Sequence, residues 1–221
     1  IAIGERLAKP PSDLVIWYAN RAAYLFTAGR TDEAIRTART GLSRGEALLP
    51  PDHPSLANLY ANLAAMLNRQ GRPADAQPLL RRAFELVEKA AGKPTQNSAT
   101  MRVMFAQTLI DQRKYADAEF FLAAAIPVIE GELGQQSDRA LLARESRALA
   151  LMNLGRADEA RAIETEVIAT RDARLAATHR DRMNGRVNLA KIALKQGDVA
   201  AARTALEQAV ALRVKAVPAN H

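Results

Sequence analysis

The sequence predicts an all-α fold, a right-handed superhelical solenoid of about five helix–turn–helix repeats. Three observations carry that prediction. Gly29, Gly71, Arg113, Gly155 and Gly197 stand 42 residues apart, four of the five being glycine. Five residues after each comes alanine: Ala34, Ala76, Ala118, Ala160 and Ala202. Seven residues before each comes alanine again: Ala22, Ala64, Ala106, Ala148 and Ala190. A helix breaker flanked by two small positions in one fixed phase is the mark of stacked helical hairpins. A methyl group at a helix crossing lets two backbones approach, and a larger side chain there typically costs about 1–3 kcal/mol of overpacking.

The elements follow in order. Residues 1–11 are a lead-in that Pro10–Pro11 closes, since proline halts any earlier helix. The repeats are expected over 12–51, 52–94, 95–136, 137–178 and 179–217, and 218–221 read as the start of a further one. In the first, helices are predicted over 14–28 and 31–47, and Pro50–Pro51 end it. The second opens on Asp52-His53-Pro54, a proline suited to a helix's first turn. Leu56, Leu59, Tyr60, Leu63, Ala64 and Leu67 then form the apolar stripe of one helix. Ala76, Leu79, Leu80, Ala83, Phe84, Val87 and Ala90 form that of the next, which Gly92 and Pro94 terminate. In the third repeat Arg113 replaces the turn glycine, at a cost of about 1 kcal/mol if the position needs positive φ. Pro127 falls inside its second helix and is expected to bend it or end it early. In the fifth, Gly185 reads as a weak point of the first helix, about 1 kcal/mol worse than alanine.

Composition narrows the chemistry. Apolar residues make up 48% of the 221, enough for a continuous core, but aromatics are only 5%, so packing rests on alanine and leucine. The net charge of +7 favours acidic partners, yet the basic residues are dispersed and no run is longer than a pair such as Arg81–Arg82. Nucleic-acid binding would call for a clustered basic face and is not expected. With no cysteine, disulfides, cysteine zinc sites and thiol catalysis are excluded together. No apolar run approaches a membrane span.

Candidate sites are few. His53, His179 and His221 share one phase of the 42-residue period, just before a first helix, which indicates a recurrent role where helices begin. Copies so far apart along a solenoid do not converge on a metal. The phase of His221 also reads as the opening of a sixth repeat. His179-Arg180-Asp181 matches a kinase tripeptide, but Arg186 stands where the asparagine would be, and no phosphate loop, nucleophile elbow or zinc-protease motif occurs. No catalytic residue, cofactor or metal is expected, and the segment is read as no enzyme.

The first helices carry a second stripe that is not core. It is Ile16, Asn20, Ala23 and Thr27 in the first repeat, and Asn58, Asn62, Ala65 and Arg69 in the second. It continues as Thr100, Met104, Gln107 and Asp111, then Leu142, Ser146, Leu149 and Asn153, and finally Asn184, Asn188, Lys191 and Lys195. Spacings of 4, 3 and 4 put each set on one helix face. An asparagine amide both donates and accepts, so it can pair with a peptide unit whatever the side chain. The same stripe is also what a merely wet face would look like. Apolar Met104, Ile110, Leu142, Leu149 and Met152 suit an apolar anchor. Arg102, Arg144 and Arg186 share another phase; they present guanidinium groups to acidic segments or phosphates, or else bridge to Asp or Glu on a neighbouring second helix.

The turn glycine with its two alanines resembles the tetratricopeptide (TPR) repeat. The second repeat, DHPSLANLYANLAAMLNRQGRPADAQPLLRRAFELVEKAAG, with its DHP opening and Ala-Gln-Pro-Leu, is similar to the long 42-residue variant found in kinesin light chains and many bacterial proteins. The resemblance covers about residues 12–217. Arg21 and Arg147 depart from it where a buried leucine is usual, and Arg102, Arg144 and Arg186 where a large apolar residue is. It implies that the stripe lines a concave groove, with Asn20, Asn62 and Asn188 matching asparagines that bind the backbone of an extended peptide. The implied function is a non-catalytic scaffold for a protein or extended peptide, with Arg69, Lys191 and Lys195 favouring acidic side chains. The alternative is a regulatory or substrate-recruiting segment of a larger bacterial enzyme, such as a caspase-like (CHAT) protease. Self-association through the apolar last helix is expected. The expected compartment is the cytoplasm, with a periplasmic or secreted location left open by a chain that opens on Ile1.

Overall fold

Ten α-helices account for nearly all of residues 10–216, the part of the chain that the computed structural model describes, and no strand occurs among them. In chain order they are α1 (Pro11–Thr27), α2 (Thr31–Leu48), α3 (Leu56–Arg69), α4 (Pro73–Ala91), α5 (Gln96–Asp111), α6 (Tyr115–Leu133), α7 (Asp138–Asn153), α8 (Ala157–Arg174), α9 (Arg180–Lys195) and α10 (Val199–Ala216), and α1 packs with α2, α3 with α4, α7 with α8 and α9 with α10. Most of the expected lead-in, and the expected sixth-repeat start at 218–221 with His221, lie outside the described residues. The chain divides into two compact units, Ile1–Arg113, which holds α1–α5, and Lys114–His221, which holds α6–α10.

Every turn of the 42-residue phase is left-handed. Gly29, Gly71, Gly155 and Gly197 have φ of 78, 74, 82 and 78°, and Arg113, the sole described non-glycine residue with positive φ, has 60°. An added Cβ at those four glycines would meet nothing within 4 Å. Arg113, which is exposed, adopts the same left-handed backbone at the cost that a side chain brings there.

The ten phase alanines, seven before and five after each turn, are all at most 2% exposed. They are the close crossings that the sequence predicts. In the first unit, two further glycines extend the theme. A Cβ on Gly41 would lie 2.5 Å from Cβ of Tyr18, and one on Gly45 would lie 2.6 Å from Leu56 Cδ2. So α2 presses against both α1 and α3 at points where no side chain fits. In the second unit Ala148, Leu151, Met152, Ala160 and Ile192 form one buried cluster, and Ala190, Ala193, Ala202 and Ala205 another.

Three local expectations need correction. Pro54 stands ahead of the first turn of α3 and not in it: the helix begins at Leu56, and the ring of His53 accepts a hydrogen bond at Nδ1 from the Ser55 amide (3.2 Å), holding a turn before it. Pro127 does not end α6, which runs on to Leu133. The lost amide donor falls on the exposed side, while Ala125, Ile126 and Ile129 are buried on the other and hold the helix through the break. Gly185 is not a weak point that alanine would mend. A Cβ there would come within 2.8 Å of Ile168 Cγ1 and 3.3 Å of Glu164 Oε1.

Candidate peptide-binding faces

What fixes each first helix against the hairpin before it is a ladder of ion pairs with the same period as the turns. Arg102 donates from Nε and Nη2 to both carboxylate oxygens of Glu88 at 2.8 and 2.7 Å. Arg144 donates from Nε to Glu130 at 2.7 Å, and Arg186 donates to Asp172 at 3.1 and 2.6 Å. At the same position of the second repeat, the Tyr60 hydroxyl donates to Glu46 at 2.5 Å. Each pair is 14 residues apart, and Glu46, Glu88, Glu130 and Asp172 repeat every 42. The arginine row is thus committed to the neighbouring second helix, the bridging alternative. Hydrogen bonds from Arg186 first, and then Arg182, hold the Asp172 carboxyl below its usual range. Burial first, then the bond to Glu46, pushes the Tyr60 phenol up to about 12.

The arginines that stand where the repeat usually has leucine are likewise engaged. Arg147 reaches Glu119 at 2.9 Å, and Arg21 lies over the Trp17 ring, 5.2 Å from its centroid. His179 repeats the role of His53: its Nδ1 accepts from the Asp181 amide at 3.2 Å at the start of α9.

Within each unit, first helices touch first helices: α1 with α3 and α3 with α5 in one, α7 with α9 in the other. Their shared face carries the candidate residues. In the first unit Asn20, Asn58 and Arg69 are exposed, while Asn62, Met104 and Gln107 are half-buried. Asn62 donates from Nδ2 to the Ala19 carbonyl at 3.3 Å, tying α3 to α1 and leaving its carbonyl oxygen for another donor. Arg69 extends over the Phe26 ring, 5.2 Å from its centroid.

In the second unit Asn184, Lys191 and Lys195 are exposed, and Asn153 and Asn188 are half-buried. Asn153 donates back to the Leu149 carbonyl of its own helix at 2.8 Å. Ser146 is not brought to the surface: it is buried and donates to the Leu142 carbonyl at 3.0 Å. Leu142 and Leu149 are exposed beside it.

The face of the second unit holds one residue that the sequence reading missed. Glu164 on α8 is fully buried and lines a narrow slot with Glu145, Leu149, Met152, Asn188 and Lys191. Neither of its carboxylate oxygens has a partner in hydrogen-bond geometry among the described residues. Burial first, and then the charge of Glu145, pushes its carboxyl up to about 8, against the opposing pull of the Asn188 amide and Arg171. A signal was present in the sequence. The phase of Glu164 reads Ala38, Leu80, Leu122, Glu164, Leu206, so one charge stands in an apolar column.

Among the described residues no three or more His, Asp or Glu side chains are gathered as a metal site, and no helix is long and apolar enough to cross a membrane.

The comparisons with known proteins agree with this architecture. Tetratricopeptide repeat models match residues 13–89 and 55–131, with further matches over 141–163 and 185–221. Among solved structures, a putative kinesin light chain from Podosopora anserina, with nearly identical TPR-like repeats, superimposes with a TM-score of 0.78 at 20% identity, covering 94% of this chain and 97% of that one. BtubC (BKLC) from P. vanneervenii gives 0.76 at 21% identity, covering 93% and 82%. YrrB, a TPR protein with an unusual peptide-binding site, gives 0.62 at 16% identity, covering 96% and 91%. No curated protein matches the sequence. The fold is that of the TPR solenoid, shared with these kinesin-light-chain-like structures. With the repeat models spanning more than half of it, the chain belongs to the tetratricopeptide repeat family.

Proposed function

We propose that this protein is a non-catalytic scaffold that binds an extended peptide or protein segment on the first-helix faces of its units. The observation that carries the reading is the exposure, along that one stripe of the first helices, of three amides and three cations: Asn20, Asn58, Asn184, Arg69, Lys191 and Lys195. Amides able to donate and accept suit a peptide backbone, and the cations suit acidic side chains at a wet rim. The peptide-binding site of YrrB, which shares the fold, supports the same use. An array of extended peptides, acidic and neutral, supplies a probe. Asn20→Ala and Asn184→Ala should each weaken the best binder by about 0.5–1.5 kcal/mol, with no change in thermal stability. Raised salt should reduce the acidic preference. Unchanged binding in both variants, with loss on substitution of exposed second-helix residues, would overturn the reading.

A second contact surface is favoured by α10. Leu206 is 43% exposed, whereas Ala38, Leu80, Leu122 and Glu164 in the same phase are fully buried. Together with Val210 and Val214 it forms a stripe with the character of a repeat-to-repeat contact. Its proposed occupant is a second copy of the chain. Val210→Asp should then abolish a concentration-dependent rise in mass measured by light scattering, and a parent protein that stays monomeric throughout would refute it.

A further inference from the structure

Two departures from the repeat pattern meet in space. Glu164 occupies a position that is Ala38, Leu80 and Leu122 in earlier repeats, all fully buried. Gly185 occupies a position that is Trp17, Leu59, Met101 and Ala143. Oε1 of Glu164 lies 3.3 Å from where a Cβ on Gly185 would be. The glycine thus leaves room for Ile168, whose Cγ1 a Cβ would meet at 2.8 Å, and for the carboxyl beside it. A buried carboxyl without a partner is destabilising, and such a breach of an otherwise regular pattern points to function.

The surroundings specify what the carboxyl lacks. Arg171 is spent on Glu145, with Nη2 donating at 2.7 Å and a second, shorter bond from Nη1, and it also reaches the Asp181 carbonyl. Lys191 lines the rim of the slot and is exposed. These, with Glu145, are the charged groups that α7, α8 and α9 turn towards Glu164. The slot has about 10 Å³ of free volume, about the least that holds one water-sized group. Leu149, Met152 and Ile192 make its walls apolar.

We propose that this slot is a subsite for one lysine side chain of the bound segment, its ammonium group pairing with Glu164 beside the amide of Asn188. The inference rests on the first-helix face being where a segment binds. An ammonium group is the size of a water molecule and brings both charge and donors, whereas a planar guanidinium is too large for the space. Only the ammonium group fits within the slot, so the methylene stem runs out over its rim. The site also gives the second unit a basic preference next to the acidic one of Lys191 and Lys195.

Because Glu164 holds its proton up to about pH 8 when the slot is empty, binding an ammonium releases that proton. Affinity should rise about tenfold per pH unit below 8 and level off above it.

The test uses Nα-acetyl-lysine methylamide as probe, the norleucine and arginine analogues as controls, and carbon-13 NMR of the glutamate carboxyls. The lysine probe should lower the Glu164 midpoint by about one unit or more and shift the Gly185 and Asn188 amides. The norleucine and arginine analogues should do neither. Glu164→Gln should remove the pH dependence and the lysine preference. Glu164→Leu, which restores the repeat residue, guards against a folding artefact. Lys191→Met should tighten binding of the lysine probe by relieving repulsion at the rim. Equal shifts from norleucine would overturn the proposal, and so would a pH-independent response or weaker probe binding in Lys191→Met. None of these failures touches the wider reading, which is tested at Asn20 and Asn184.

Discussion

Leu80 in the first unit and Glu164 in the second occupy the same place in the repeat, and both are fully buried. One is the ordinary apolar residue; the other is a carboxyl beside a glycine whose missing Cβ leaves room for it and for Ile168. The contrast teaches that the repeat dictates burial at this position but leaves its chemistry to the residue facing it. The first unit spends the position on stability, and the second gives up stability there.

The harshest way to break the comparison is to transplant the charge. Leu80→Glu puts a carboxyl where Met101, and not glycine, holds the facing phase, and should cost about 4–5 kcal/mol or unfold the first unit outright. Denaturant melts that stay within about 1 kcal/mol of the parent would show that the glycine is irrelevant. The reverse exchange, Glu164→Leu, should stabilise the protein by about 1–4 kcal/mol at pH 8. The sign follows from the titration. With a folded value of about 8, Glu164 keeps its proton in the folded state at pH values where the unfolded chain has lost it. Its favourable contribution is complete below the unfolded value and vanishes as pH rises through 8, so parent stability should fall by about 1.4 kcal/mol per unit across that window. Melts of Glu164→Leu should lack that slope.

A smaller effect lies in the ladder beside the slot. Arg186→Ala leaves Asp172 with Arg182 alone and should cost about 1–3 kcal/mol. Asp172 titrates with the opposite sign to Glu164. Its carboxyl is held below the usual range, so its contribution is present at neutral pH and is lost as pH falls through the folded value. Arg186→Ala should therefore flatten the acid limb of the stability curve and leave the limb near pH 8 unchanged. The mildest test is Arg113→Gly, which relieves a φ of 60° and should gain about 1 kcal/mol at most.

The alanine and glycine phases were legible in the sequence because close crossings and left-handed turns each admit few residue types. All ten alanines are buried, and the one turn arginine has the glycine's conformation. Half of the ladder was legible. Arg102, Arg144 and Arg186 stood out, but their partners lie 14 residues upstream on another helix, and only the phase of Glu46, Glu88, Glu130 and Asp172 would have paired them. Gly185 was noticed and misjudged, because helix propensity describes an exposed helix and not one pressed against Ile168. Pro127 does not end its helix, for a related reason: tertiary burial of Ile126 and Ile129 outweighs a missing hydrogen bond. At the candidate faces, periodicity selects the side of the helix. It does not reveal that Ser146 turns inward to Leu142, or that the Asn62 amide already has a backbone partner.

The ladder also sets an order in time. Each rung ties a second helix to the first helix of the next hairpin, so a hairpin cannot open without releasing its rungs. α8 and α9 are joined by the Asp172 rung, but in α10 the acid's place is taken by Val214. Deuterium from solvent should accordingly enter the amides of α10 first and those of α9 and α8 later, the second unit opening like a zipper from the side that carries no tooth.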